Sequence, residues 1–268
     1  MPEHYLRLSG AQMLATEAFQ WVGADIDDLV RHFAMGIVHG QAGLGKTFAV
    51  QAALERLTAT GSASLPEPGT ATPRSRTPAK DAVRVVQLVF PHRPNDLRVA
   101  QEVARSLTGS IPTGVNRFGI QEQALEQLSG APYLMVVDEA QRLTRHAMEV
   151  LRYLYDHTAT RLAVLFVGGD GCWETISRSQ TLVSRMLRRR QFHPLPGRQV
   201  PAMMRHYHPL YSEAKPELLA AVDTEFAHGN WRNWVSFTAT AADLAHAEGR
   251  VTLDRELVAA GYRVLGRS

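Results

Sequence analysis

The segment Gly40-Gln41-Ala42-Gly43-Leu44-Gly45-Lys46-Thr47 constrains this chain more than any other. It has the pattern of a glycine, four residues, then glycine-lysine-threonine. It lies between a short apolar run, Gly36-Ile37-Val38-His39, and a segment with helical spacing, FAVQAALERLTA. A strand, a glycine loop and a helix in that order make a phosphate cradle. The glycines let the backbone curl closely around an anion, while backbone N–H groups and the helix N-terminus supply partial positive charge. Lys46 is then expected to reach the β- and γ-phosphates of ATP, with the Thr47 hydroxyl on Mg²⁺. All eight residues are therefore candidate ATP-binding residues.

A second segment supplies what the first lacks. Tyr133-Leu134-Met135-Val136-Val137-Asp138-Glu139 reads as a buried strand that ends in two carboxylates, at the sheet edge where ligands of α/β proteins collect. Asp138 is expected to hold Mg²⁺ and Glu139 to polarise the attacking water, since phosphoryl transfer needs a positioned nucleophile and neutralised charge. Strands expected at 36–40, VRVVQLVF, YLMVVDE and LAVLFVGG alternate with helical segments, which predicts a parallel sheet covered on both faces. After Leu195 the pattern is wholly helical. The fold class expected is thus an α/β P-loop core over 1–196 with a small α-helical lid over 197–268.

Two amphipathic helices are expected within residues 1–33. The stretch at 60–81 is rich in Pro, Ser, Thr and Gly, so a disordered insertion is expected there, or alternatively a DNA-contacting loop using Arg74, Arg76 and Lys80. With 45% hydrophobic and 21% charged residues the chain can close its own core. One cysteine, Cys172, allows no internal disulfide. With no signal-peptide pattern and no long apolar run, a cytoplasmic protein without membrane insertion is expected. The net charge of +3 permits a polyanionic partner without demanding one. The eleven histidines are scattered, and the close pair His206 and His208 has no further ligand at metal spacing.

Together GQAGLGKT and LMVVDEAQRL resemble the AAA+ ATPases, and most closely their transposition regulators of the TniB, TnsC and MuB type. That resemblance implies a RecA-like core and lid, a homo-oligomeric ring or filament, binding to double-stranded DNA, and recruitment or regulation of a transposase. An ATP-gated protein-binding switch and a helicase-loader-like ATPase are the alternatives. It also implies roles for single residues. A polar sensor is expected after the next strand, yet that strand runs Phe166-Val167-Gly168-Gly169-Asp170, leaving Asp170 as the candidate sensor or as an ordinary turn aspartate. Leu182-Val183-Ser184-Arg185-Met186 resembles the segment whose arginine acts as a finger in trans, with a basic patch through Arg190 as the alternative. Gly229-Asn230-Trp231-Arg232 resembles the lid signature whose arginine, here Arg232, contacts the γ-phosphate. Trp231 and Trp234, three apart on one expected helix, read as lid packing, with a base-stacking platform as the alternative. Arg93, Arg142 and Arg145 are the candidate DNA contacts within the core.

Overall fold

The computed structural model describes residues 8–62, 82–90, 92–111 and 114–266. The expected insertion lies outside them from residue 63 onward, while residues 60–62 complete a helix. The chain divides into two compact units. The larger holds Ala18–Gln41 and Lys46–Phe192; the smaller holds Met1–Glu17, Ala42–Gly45 and His193–Ser268.

The larger unit is built on five parallel strands: β1 (Met35–His39), β2 (Arg84–Val89), β3 (Pro132–Asp138), β4 (Arg161–Gly168) and β5 (Met186–Gln191), in the order β2-β3-β4-β1-β5. Helix α1 (Glu17–His32) precedes β1, and the crossovers that parallel neighbours need contain α2 (Lys46–Ser62), α3 (Asp96–Thr108), α4 (Arg117–Ser129), α5 (Arg145–Asp156), α6 (Cys172–Ser177) and α7 (Gln180–Val183). Strand residues are buried on both faces, so β1, β3 and β4 read as continuous apolar runs. One core gathers Met35, Ile37, Met135, Val137 and Phe166 with Val103, Leu128 and Leu151 from α3, α4 and α5. Asn95, Asn116 and Thr144 cap the starts of α3, α4 and α5, each side-chain oxygen accepting a backbone N–H.

The sequence reading contained four of these strands; β5 is the addition. Its sequence, Met-Leu-Arg-Arg-Arg-Gln, has no apolar alternation because it is an edge strand whose arginines find acids elsewhere. Arg188 and Arg190 pair with Asp28 and Asp25 of α1 at 2.6 and 2.8 Å. Arg189 lies over the Trp173 ring at 3.9 Å and donates to His39. The hydrogen bond from Arg188 holds the Asp28 carboxyl below the usual carboxylate range.

The N-terminal region also differs from expectation, giving one helix in place of two among the described residues. Residues 8–16 are drawn off by tertiary contacts: the Gln12 N–H donates to the Tyr207 carbonyl at 2.8 Å, and Ala11 and Leu14 pack on the C-terminal core. That smaller unit contains α8 (Val200–Tyr207), α9 (Pro216–Val222), α10 (Trp231–Glu248) and α11 (Arg255–Val264) around Tyr211, Trp234 and Phe237. Trp234 is fully buried and its indole N–H donates to Asp223 at 3.0 Å, so it packs the interior. Among the described residues no helix is long and apolar enough to cross a membrane.

Two outcomes follow from this core. Phe166 is fully buried in β4, the central strand, and Phe166→Ala should cost about 3–5 kcal/mol in chemical denaturation, through lost transfer energy and the cavity left behind. Burial pushes the Cys172 thiol up to about 12, so at neutral pH almost none is thiolate. Iodoacetamide should leave the folded protein unlabelled and modify Cys172 only in denaturant; labelling at equal rates would contradict the buried thiol.

Candidate functional site

The glycine loop leaves the end of β1 at Gly40 and enters α2 at Lys46. Gly40 has a φ of 137°, and a Cβ there would lie 2.4 Å from the Phe192 carbonyl oxygen, so both backbone conformation and space demand glycine. Gly43, with a φ of 84°, is enclosed from another side: a Cβ would lie 2.3 Å from the Asn230 side-chain oxygen. Successive backbone N–H groups in alternating right- and left-handed conformations build the concavities that bind anions. Lys46 is buried, and its ammonium donates to the carbonyls of Gly40 and Gln41 at 2.7 and 2.6 Å, which holds it within the curl of the loop. Thr47 follows in the first turn of α2, half-buried.

The tip of the loop, Ala42–Gly45, belongs with the C-terminal helices. Asn230 caps α10 through its side-chain oxygen, which accepts from the N–H groups of Arg232 and Asn233. Its amide nitrogen donates to the Ala42 carbonyl at 2.8 Å. The Arg232 N–H also donates to the Gly43 carbonyl at 3.0 Å, while the Arg232 side chain is exposed. One asparagine thus closes a helix end and grips the loop. Sequence reasoning singled out Arg232 and missed Asn230, although the residue stood in the quoted signature.

β3 delivers Asp138 and Glu139, each half-buried, to the same end of the sheet as the loop. Burial is the largest influence on the Asp138 carboxyl and raises it above its ordinary value, and the Glu139 charge adds to this. The Glu139 N–H, donating to Asp138 Oδ1 at 2.8 Å, and the Lys46 charge act in the opposite direction. A carboxylate that is part-desolvated and near a lysine is matched to a cation. Glu139 has a φ of 54° and a ψ of 36°, the left-handed region that a non-glycine residue occupies at a cost of about 1–3 kcal/mol. Such strain concentrates where a side chain must be aimed.

The Glu139 carboxylate is held at Oε2, which accepts from Gln141 Nε2 at 2.7 Å and pairs with Arg142 at 3.2 Å. Arg142 in turn donates to the Phe90 carbonyl beyond β2. Asp170 is exposed in the turn after β4 and makes no hydrogen bond or ion pair among the described residues. Arg93 lines a hollow with His92, Asn95 and Arg98, and Arg145 is exposed at the start of α5.

Arg185 lies far from this end. It immediately precedes β5, whose Met186 is paired with Met35 at the start of β1, so a whole strand separates it from its own loop, ~16 Å at the usual rise per residue. Its guanidinium forms two hydrogen bonds to Asp156, at 2.6 and 2.8 Å, and another to the Thr181 carbonyl. Burial alone would raise the Asp156 carboxyl, but Arg185 and Arg152 bring it below its ordinary value. With Arg188, Arg189 and Arg190 engaged by α1 and Trp173, the run from Arg185 to Arg190 is largely committed to partners within its own unit.

A family model described as an AAA domain matches residues 30–176, from the last turn of α1 nearly to the end of α6. No curated protein sequence matches the chain. Solved structures share the fold at low identity. The Cdc6p of Pyrobaculum aerophilum is 17% identical with a TM-score of 0.68, over 98% of this chain and 71% of that one. The Aeropyrum pernix Orc1 protein, solved in complex with DNA, is 17% identical with a TM-score of 0.66, over 99% and 68%. The RuvB Holliday junction branch migration motor of Thermotoga maritima is 12% identical with a TM-score of 0.56, over 92% and 68%. With a five-stranded parallel P-loop sheet, C-terminal helices and a family match over more than half its length, this chain belongs to the AAA domain family and has the AAA+ fold.

Proposed function

We propose that this chain is an Mg²⁺-dependent ATPase that assembles on double-stranded DNA and there recruits or regulates a transposase. The observation that carries the enzymatic part is the convergence of a buried Lys46, a part-desolvated Asp138 and a backbone-strained Glu139 at one end of the sheet. Lys46 and the loop backbone bind the phosphates, and Thr47 with Asp138 would hold the Mg²⁺ ion, which would supply charge neutralisation. Glu139 takes a proton from water as the water oxygen bonds to the γ-phosphorus. The bond from that phosphorus to the bridging oxygen breaks, leaving ADP and phosphate. Arg232, beside the loop tip, is the candidate for the γ-phosphate from the C-terminal unit. Asp170 remains the candidate sensor named by resemblance, and its exposure favours a turn residue.

The DNA part is supported by similar structures whose subjects include an Orc1 protein in complex with DNA and a Drosophila ORC bound to DNA. Exposed Arg93 and Arg145 are the candidate phosphate contacts, with half-buried Arg142 as the third. The transposition part is supported by the D-E-A-x segment at the end of β3, the helix that follows it and the apolar-V-G end of β4, which resemble the TniB, TnsC and MuB group. A finger at the opposite sheet edge from its own loop can serve only a neighbour's nucleotide, which supports a homo-oligomeric ring or filament.

Lys46→Ala should abolish ATP binding in calorimetry. Glu139→Gln should bind ATP normally and hydrolyse it about 10²-fold more slowly or worse, and wild-type turnover there would remove Glu139 from the chemistry. DNA-stimulated ATPase and a nucleotide-dependent gel shift are expected of the wild type; nucleotide-driven assembly indifferent to DNA would favour a protein-binding switch instead.

Arg185→Ala should leave ATP affinity nearly intact while weakening assembly and hydrolysis together. Mixed with Glu139→Gln subunits it should recover part of the hydrolysis that both lack, since each supplies what the other has lost. Co-assembly without recovery would leave Arg185 as the structural partner of Asp156 only.

A further inference from the structure

Glu139 is an unusual base to leave to itself. Its side chain is 40% exposed, on a backbone that costs energy to hold, so it needs a second group to fix its direction. Gln141, two residues on in the 3₁₀ turn Ala140–Arg142, has the reach to provide one.

We propose that Gln141 is the positioning residue of the hydrolytic step, its carboxamide tying the Glu139 carboxylate to the backbone at the end of β4. Gln141 Nε2 donates to Glu139 Oε2 at 2.7 Å, while Gln141 Oε1 accepts the N–H of Gly169 at 3.0 Å. The two ends of the amide are assigned by their partners. Only the nitrogen can face a carboxylate and only the oxygen can face an N–H, so a flipped amide would lose both bonds. The loop after β4 is shaped to receive it: a Cβ on Gly168 would lie 2.4 Å from Gln141 Oε1 and 2.4 Å from the Cys172 sulfur. Glycine at that position keeps the space that the amide fills. Gln141 and Arg142 both engage Oε2 of Glu139, so Oε1 is the oxygen presented to a water. A side chain from the β3 turn thereby supplies, over two glycines, a polar group at the end of β4.

Given Glu139 as the base of the proposed ATPase, on which this assignment depends, a loss at Gln141 has a specific kinetic form. Gln141→Leu, similar in volume and without polar atoms, should leave ATP Kd within about twofold and lower kcat about tenfold or more, as misplacement of a reacting group does. Gln141→Asn keeps the amide but is one methylene too short to span Glu139 and Gly169, so it should show the same split and covers the case in which the leucine variant does not fold. In a Glu139→Gln background, Gln141→Leu should cause little further loss of single-turnover rate, because Gln141 acts through the carboxylate. Hydrolysis within twofold of wild type in Gln141→Leu, an equal fall in affinity and kcat, or fully additive losses in the double variant would overturn the assignment. Wild-type turnover in Glu139→Gln would instead overturn the ATPase mechanism itself, which separates the two failures.

Discussion

A buried ammonium must be surrounded by oxygen, and at Lys46 that requirement organises the end of the sheet. Its partners are the carbonyls of Gly40 and Gln41, six and five residues back along the same chain, so the loop closes on its own lysine. The turn is possible only because Gly40 accepts a conformation closed to other residues while the Phe192 carbonyl stands where a side chain would be. Strand β1 fixes where the loop begins, α2 fixes where it ends, and the flanking strands fix what faces it.

How much of this was legible in the sequence varies with how local the cause is. β1, β3 and β4 were readable because strands buried on both faces carry unbroken apolar runs between glycines and turn residues. The loop and the acidic pair were readable because their chemistry is written in residue type and spacing over a few positions. β5 was not, since its fitness for the sheet lies in acids of α1 some 160 positions away in the chain. The single helix α1 differs from expectation for a related reason: residues 8–16 follow tertiary contacts, among them the hydrogen bond from Gln12 to Tyr207, in place of their own periodicity. Gln141 and Asn230 show the same limit at the site. Both stood in quoted motifs, but their use is to connect segments remote in sequence, and nothing in residue type marks which glutamine or asparagine does so.

The arginines of the β5 region illustrate why a charge run is a poor guide by itself. Four arginines within six residues suggest a surface for a polyanion. In the fold, Arg188 and Arg190 neutralise Asp28 and Asp25, and Arg189 lies on Trp173, so the run ties an edge strand to the helix beside it. Exposed cations also lie beyond the ends of β2 and β3 at Arg93 and Arg145, where they occur singly in sequence.

The position of Arg185 carries a consequence of symmetry. The residue sits at the N-terminal edge of the parallel sheet and the glycine loop at the C-terminal edge, so no compact patch of one subunit contains both. A two-fold interface joins a patch to its own copy. If Arg185 works in trans as proposed, the contact must join unlike faces, and any open chain of subunits then ends in one unanswered loop and one unused arginine. Only rotational closure, or indefinite helical growth, removes or dilutes those ends. The number of complete catalytic centres in an open assembly is therefore always one fewer than the number of chains.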